Sequence, residues 1–165
     1  MTEHAPRKLD HPALIQVVKN TPLVAIDLVI RNARDEVLLG LRTNEPAKGF
    51  WFVPGGRICK NERIHDAFER IANDELGTRL SIEDARFLGV FEHLYKENFA
   101  DEPDIGTHYV VLAYEVKPDR LLQELPRSQH SQYRWQAANA LLRADDVHPN
   151  TKAYLARRDI PDGPA

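Results

Sequence analysis

The run GGRICKNERIHDAFERIANDELG, residues 55–77, gathers residue types that can do chemistry. Gly55 and Gly56 lead it, Glu62 and Arg70 follow, and Asp74 and Glu75 close it before Gly77. Glycines let a backbone approach a ligand and expose its carbonyls, and a helix start offers unpaired N–H groups. A hard cation such as Mg2+ takes oxygen ligands and shares them with substrate phosphates. The run therefore reads as a candidate magnesium and phosphate site. It is poor in carboxylates, because Ile71 stands one turn before Glu75.

The helix that would carry these groups is the strongest element in the chain. Ile64, Ala67, Phe68, Ile71, Ala72 and Leu76 fall at i, i+3, i+4, i+7, i+8 and i+12, an apolar stripe that Gly77 ends. Glu75 follows Ile64 by eleven residues. At about 100° per residue that is three turns, so Glu75 projects close to the stripe. A carboxylate there is costly unless paired or metal-bound, which argues for a ligand. Equally, Glu75 could reach solvent from a fraying helix end.

Around this helix, PLVAIDLVI (22–30) reads as a buried strand interrupted once by Asp27, NARDE (32–36) as a turn and VLLGLR (37–42) as a second strand. Together they predict a hairpin. TNEPAKG (43–49) is a loop, and FWFV (50–53) a short strand with Trp51 or Phe52 in the core. Residues 85–97 and 107–116 read as longer strands joined by an acidic turn-rich loop, and SQYRWQ (131–136) as a last strand. A short helix runs from Asp10-His11-Pro12 through Val18, with Asp10 or a neighbour as cap. AANALLRAD and NTKAYLARR suggest closing helices. The pattern predicts an α/β fold, a mixed β-sheet sandwiched between helices.

With 165 residues, 42% of them hydrophobic and 28% charged, the chain suits one soluble domain spanning 1–165. A net charge of −3 predicts no broad surface for polyanions, so no nucleic acid partner is expected, although a few arginines can hold a small phosphate ligand. The single cysteine, Cys59, excludes an intrachain disulfide framework and reads as a small apolar residue. No stretch of 18 apolar residues and no apolar N-terminal run is present, so neither a membrane span nor a signal peptide is expected, and the cytoplasm is the expected compartment.

Several other residues have plain readings. His130 is one of seven histidines and by its surroundings a surface loop residue. His93 and His108 lie in strands as ordinary satisfied polar groups. Arg42 could cap the hairpin, and Arg70 pairs with Glu62 or Glu69 as scaffold. Asp27 is harder to dismiss, because a buried unpaired carboxylate is costly. It calls for a partner, either in the protein or on a sugar.

Gly56, Glu62, Arg70, Glu75 and Gly77 match the box of the Nudix hydrolases, Gly-x5-Glu-x7-Arg-Glu-U-x-Glu-Glu-x-Gly-U with U aliphatic. Asp74 stands for the first glutamate of the closing pair, Thr78 for the last aliphatic, and Ile71 for the glutamate after the arginine. The runs TPLVAIDLVI, LLGLRTNEPAKGFWFVPGGR, AFERIANDELG, THYVVLAYEV and QHSQYRW resemble one subfamily, GDP-mannose mannosyl hydrolase, over roughly residues 14–157. That subfamily lacks the same glutamate. The resemblance implies the Nudix fold and hydrolysis of GDP-mannose, and of GDP-glucose, by water attack at the anomeric carbon with inversion.

It also implies roles. One Mg2+ per subunit would be held by the Gly55 carbonyl, Glu75 and Gln129, with diphosphate oxygens. His130 would be the general base, at a pKa near neutrality. Arg42 and Arg57 would hold the departing diphosphate. Asp27, His93 and Tyr109 would line the sugar and phosphate site. The N-terminal segment, residues 1–20, would help hold the nucleotide through Leu9 and Leu14, across a homodimer interface. Leu14 stands where the subfamily commonly has an aromatic residue, which bears on guanine recognition. Fewer carboxylates suggest fewer cations and less hydroxide at phosphorus, so either a different bond is cleaved or the base lies elsewhere, and the resemblance implies cleavage at carbon. The alternatives are a conventional Nudix pyrophosphohydrolase and a Nudix-fold module that binds a nucleotide without chemistry.

Overall fold

A computed structural model describes residues 8–119, 125–127 and 130–156. Gln129 and residues 1–7 lie outside them. Helix α1 (His11–Asn20) starts where Asp10 accepts a hydrogen bond from the Ala13 N–H at 2.9 Å. The strands are β1 (Leu23–Ile30), β2 (Glu36–Arg42), β3 (Trp51–Phe52), β4 (Gly55–Arg57), β5 (Arg86–Tyr95), β6 (Thr107–Val116) and β7 (His130–Ala137). Helix α2 (Ile64–Leu76) follows β4, and α3 (Ala138–Arg143) and α4 (Pro149–Ala156) follow β7.

The strands form two sheets, a mixed one of order β4-β1-β6-β5 and an antiparallel one of order β3-β2-β7. β1 runs parallel to β6 and antiparallel to β4, so it is flanked on both sides, and seven of its eight residues are buried. This corrects the expected hairpin. β1 has no free edge for β2, and the two strands lie in different sheets, joined by a single Arg31–Val37 bridge. The turn between them is built by Asn32, whose Oδ1 accepts from the N–H groups of Arg34 and Glu36.

The other departure lies at the glycines, which form their own short strand beside β1 instead of an open loop. Strand pairing thereby sets Gly55 opposite Asp27 and Gly56 opposite Ile26. Two apolar clusters cover the two faces. Ile26, Leu28 and Ile30 pack with Ala67, Phe68, Ile71, Ala72 and Leu76 of α2, as the helical stripe requires. Val29, Val37, Leu39, Phe52 and Ala113 pack with Leu141, Tyr154 and Leu155 of the closing helices. The α/β class with helices on both sides is the one the sequence pattern predicts.

The loop from β4 into α2 is fastened by Arg70, whose Nε and Nη2 donate to Glu62 at 2.6 and 2.9 Å, while Nη2 also donates to the Arg57 carbonyl at 2.9 Å. Glu62 completes the clasp by accepting from the Cys59 N–H at 2.8 Å. Burial opposes the Glu62 charge, but its donors outweigh that and hold the carboxyl below its ordinary range. Of the two partners expected for Arg70, the structure selects Glu62. Replacing Arg70 by Met strands a nearly buried carboxylate, so the fold should lose about 2–3 kcal/mol. The check is the urea midpoint, which falls at constant m-value; an unchanged midpoint would show the clasp to be dispensable.

Candidate active site

The two sheets, α1 and α2 enclose a pocket of about 700 Å³. Its walls carry most of the residues singled out by the sequence: Leu9 and Leu14 at the α1 end, Asp27 from β1, Arg42 at the end of β2, Gly55 and Arg57 from β4, Glu75 from α2, His93 from β5 and Tyr109 from β6. The sheet register explains this convergence. Leu23, Tyr109 and His93 form one row across β1, β6 and β5, and Asp27 and Gly55 meet across β1 and β4. A Cβ on Gly55 would run into the Asp27 carboxylate and stand 2.7 Å from the Ile26 carbonyl, so only glycine allows this approach.

Ile71 and Glu75 lie one turn apart on α2, and both are buried. Ile71 sits among the core residues of that face, where an added Cβ on Gly56 would stand 3.1 Å from it. Glu75 does not fray into solvent; it is 3% exposed and faces the pocket. Among the described residues no three histidine, cysteine or carboxylate side chains converge on one point.

His130 is not the surface residue its neighbours suggest. It opens β7 opposite Arg42, is buried, and lies behind Glu75, with Nδ1 3.6 Å from Glu75 Oε2 and 3.4 Å from the Tyr133 hydroxyl. Its Nε2 is buried with no hydrogen-bond partner among the described residues. Gly40 makes room for the ring, since a Cβ there would overlap it. Gln129 falls outside the described residues.

The electrostatics follow from burial around one arginine. Arg42 is steered by its Nε, which donates to the Pro46 carbonyl at 2.9 Å. Desolvation pushes the Glu75 carboxyl up to about 7, Arg42 opposing it. Desolvation likewise raises Asp27 to about 6, against the Tyr154 hydrogen bond and Arg42. His130 is pushed down to about 4 by burial and then by Arg42. The contact between His130 and Glu75 is thus one of a neutral imidazole with a carboxyl group, not an ion pair. This corrects the expected base near neutrality: the ring holds no extra proton at pH 7, but it is a weaker base than an exposed histidine.

The sequence pattern does not reveal the C-terminal residues that back the wall of the site. The Tyr154 hydroxyl donates to Asp27 Oδ2 at 2.5 Å and lies 3.0 Å from His93 Nε2. One turn earlier, Asn150 Nδ2 donates to the Tyr95 hydroxyl at 3.1 Å. The partner demanded by Asp27 is therefore a protein group 127 positions away. The spacing of Asn150 and Tyr154, one turn apart in NTKAYLARR, was the available signal.

A family model of the NUDIX domain matches residues 21–157. The low-salt glycan biosynthesis protein Agl8 of Haloferax volcanii is 48% identical over 143 residues, covering 87% of this chain and 86% of its own. Among solved structures, a MutT NUDIX hydrolase from Burkholderia pseudomallei superposes with a TM-score of 0.67 at 24% identity, covering 84% of this chain and 98% of that one. The NUDIX domain of Shewanella oneidensis NrtR, crystallised with ADP ribose, does so with a TM-score of 0.64 at 17% identity, over 92% and 93% of the two chains. At these identities the structural matches show the fold.

The raised Asp27 pKa has a consequence for stability. Above its ordinary value of 3.8 the unfolded carboxyl ionises, while the folded one keeps its proton until about 6. The unfolded state then binds fewer protons, so stability falls as pH rises through that window and stays lower above it. The deficit is on the order of 3 kcal/mol. Asp27→Asn keeps an acceptor for Tyr154 and removes the ionisation. In EDTA the variant should unfold at higher denaturant than the wild type at pH 7.5, with the gap closing towards pH 4. A midpoint at or below wild type at pH 7.5 would contradict this.

Proposed function

The chain belongs to the NUDIX hydrolase family, and from that premise we propose that it hydrolyses GDP-mannose, and GDP-glucose, to GDP and free hexose by water attack at the anomeric carbon with inversion. The observation that carries the reading is the α2 face on which Ile71 is packed into the core one turn before the single buried carboxylate of Glu75. A site built for attack at phosphorus gathers several carboxylates around its cations; here the neighbouring position is committed to packing. The relative from Haloferax, named for glycan biosynthesis, is in keeping with a nucleotide-sugar substrate.

The residues fit one hard divalent cation. Glu75 is a desolvated carboxylate in the pocket wall, and an approaching cation relieves the burial that raises its pKa. The Gly55 carbonyl and the Gln129 side chain would complete the protein's oxygen donors to Mg2+, one per subunit. When bound, Mg2+ supplies neutralising charge to the diphosphate.

The remaining roles belong to the chain. Arg42 and Arg57 hold the diphosphate and stabilise the charge that grows on it as the glycosidic bond breaks. No acid is needed for such a leaving group. His130, neutral at working pH, takes the proton from the attacking water. Asp27, His93 and Tyr109 orient the hexose, and Leu9 and Leu14 offer the base an aliphatic wall. The reading includes a cytoplasmic homodimer whose N-terminal segments contribute to the nucleotide site. No helix of the described residues is long and apolar enough to cross a membrane.

Hydrolysis of a GDP-hexose panel in water enriched in oxygen-18 tests the reading. Label is expected in the free hexose and none in GDP. Label in GMP or in a sugar phosphate means attack at phosphorus, as in a conventional pyrophosphohydrolase. Binding without turnover of any GDP-sugar means a sensor. Under the proposed mechanism His130→Asn should lower kcat on the order of 100- to 10,000-fold, with GDP binding retained. A kcat within threefold of wild type would place the base elsewhere.

A further inference from the structure

Tyr154 is among the most deeply buried residues of the chain, with 1% of its surface exposed, and yet its hydroxyl ends at two groups of the pocket wall. Its ring stands edge-on to Phe91 at a centroid distance of 4.8 Å. The helix behind it is fastened one turn before Tyr154, by the Val53 N–H donating to Thr151 Oγ1 and by Asn150 donating to Tyr95. The hydroxyl is thus delivered by a fixed ring on a fixed helix. A merely satisfied core tyrosine needs one acceptor, and Asp27 alone would serve.

The second contact constrains the chemistry of its neighbours. A tyrosine hydroxyl has one proton, and this one goes to the Asp27 carboxylate. Towards His93 the hydroxyl oxygen can only accept. His93 is neutral, because burial and then the charge of His148 push it down to about 4. Its single ring proton must therefore sit on Nε2, which leaves Nδ1 as a lone-pair acceptor. One hydroxyl thereby fixes the orientation of a carboxylate and the tautomer of an imidazole.

We propose that Tyr154 is a positioning residue that sets Asp27 and His93 as a matched pair of acceptors for two hydroxyl groups of the bound sugar, so that the closing helix α4 governs recognition of the hexose. The inference rests on the GDP-hexose reading above. Tyr154 touches no substrate. It acts through the two residues it holds, and the nucleotide half of the pocket is independent of it.

Tyr154→Phe in the full chain removes the hydroxyl and keeps the ring. With imidazole nitrogen-15 labelling at pH 7.5, His93 in the wild type should show the Nε2-protonated tautomer. In the variant the two tautomers should mix. KM for a GDP-hexose should rise about tenfold, while the inhibition constant of GDP alone stays within twofold of wild type. An unchanged His93 tautomer, or a loss shared equally by GDP-hexose and GDP, overturns the proposal. If the wild type turns over no GDP-hexose, the functional reading fails on its own, and the His93 signal still decides whether Tyr154 sets the tautomer.

Discussion

Buried negative charge is the constraint on which this site depends. Asp27 and Glu75 both face the pocket from positions that water scarcely reaches, and the charge of Asp27 adds to the burial that raises the Glu75 carboxyl. Arg42 is the cation common to both. Its field opposes the desolvation of Asp27 and Glu75 and also depresses His130 and His148. With Arg42 set against two buried carboxylates, both carboxyls keep their protons to a higher pH than exposed ones do. That state costs stability, as strained and polar functional sites generally do.

The fold meets the constraint by crossing sheets. β1 brings Asp27 from the mixed sheet, and β2 brings Arg42 from the antiparallel one, where its strand partner is His130. Both arms lead from the same chain reversal at Asn32, so the separation of β1 and β2 into different sheets is what opens the pocket between them. Had they formed a hairpin, Arg42 and Asp27 would belong to one surface. Helix α2 then closes one side, with Ile71 in the core and Glu75 at the pocket. Helix α4 backs another, with Tyr154 and Asn150 holding Asp27 and Tyr95 of the wall from behind.

Much of this was legible in the sequence, and the rest was lost for definite reasons. The α2 stripe, the Asp10 cap and the demand of Asp27 for a partner are local patterns, and the structure carries all three except at Ile64, which starts the stripe but lies exposed in the first turn of the helix. Pairing of strands is not local. Adjacent runs at 22–30 and 37–42 look like a hairpin until β6 and β4, both later in the chain, occupy the edges of β1. The Gly55–Arg57 strand was invisible because its residues have no strand propensity; pairing with β1 alone makes it one. The spacing of Asn150 and Tyr154 marks one helix face, but a hydrogen bond spanning 127 positions leaves no trace of which residue Tyr154 meets. The low His130 pKa was missed because burial at the start of a strand cannot be read from neighbours in sequence. The resemblance to the mannosyl hydrolases assembled residues that no spacing connects, and the pocket contains most of them.

Under the proposed function the site would carry one cation on Glu75, with Ile71 excluding a second. Titration with Mn2+ followed by electron paramagnetic resonance tests it most directly, because free and bound ions are counted separately. One bound Mn2+ per chain is expected in the presence of GDP, and its loss in Glu75→Gln. Two or more Mn2+ per chain with spin coupling between them would contradict it, as would full binding by Glu75→Gln.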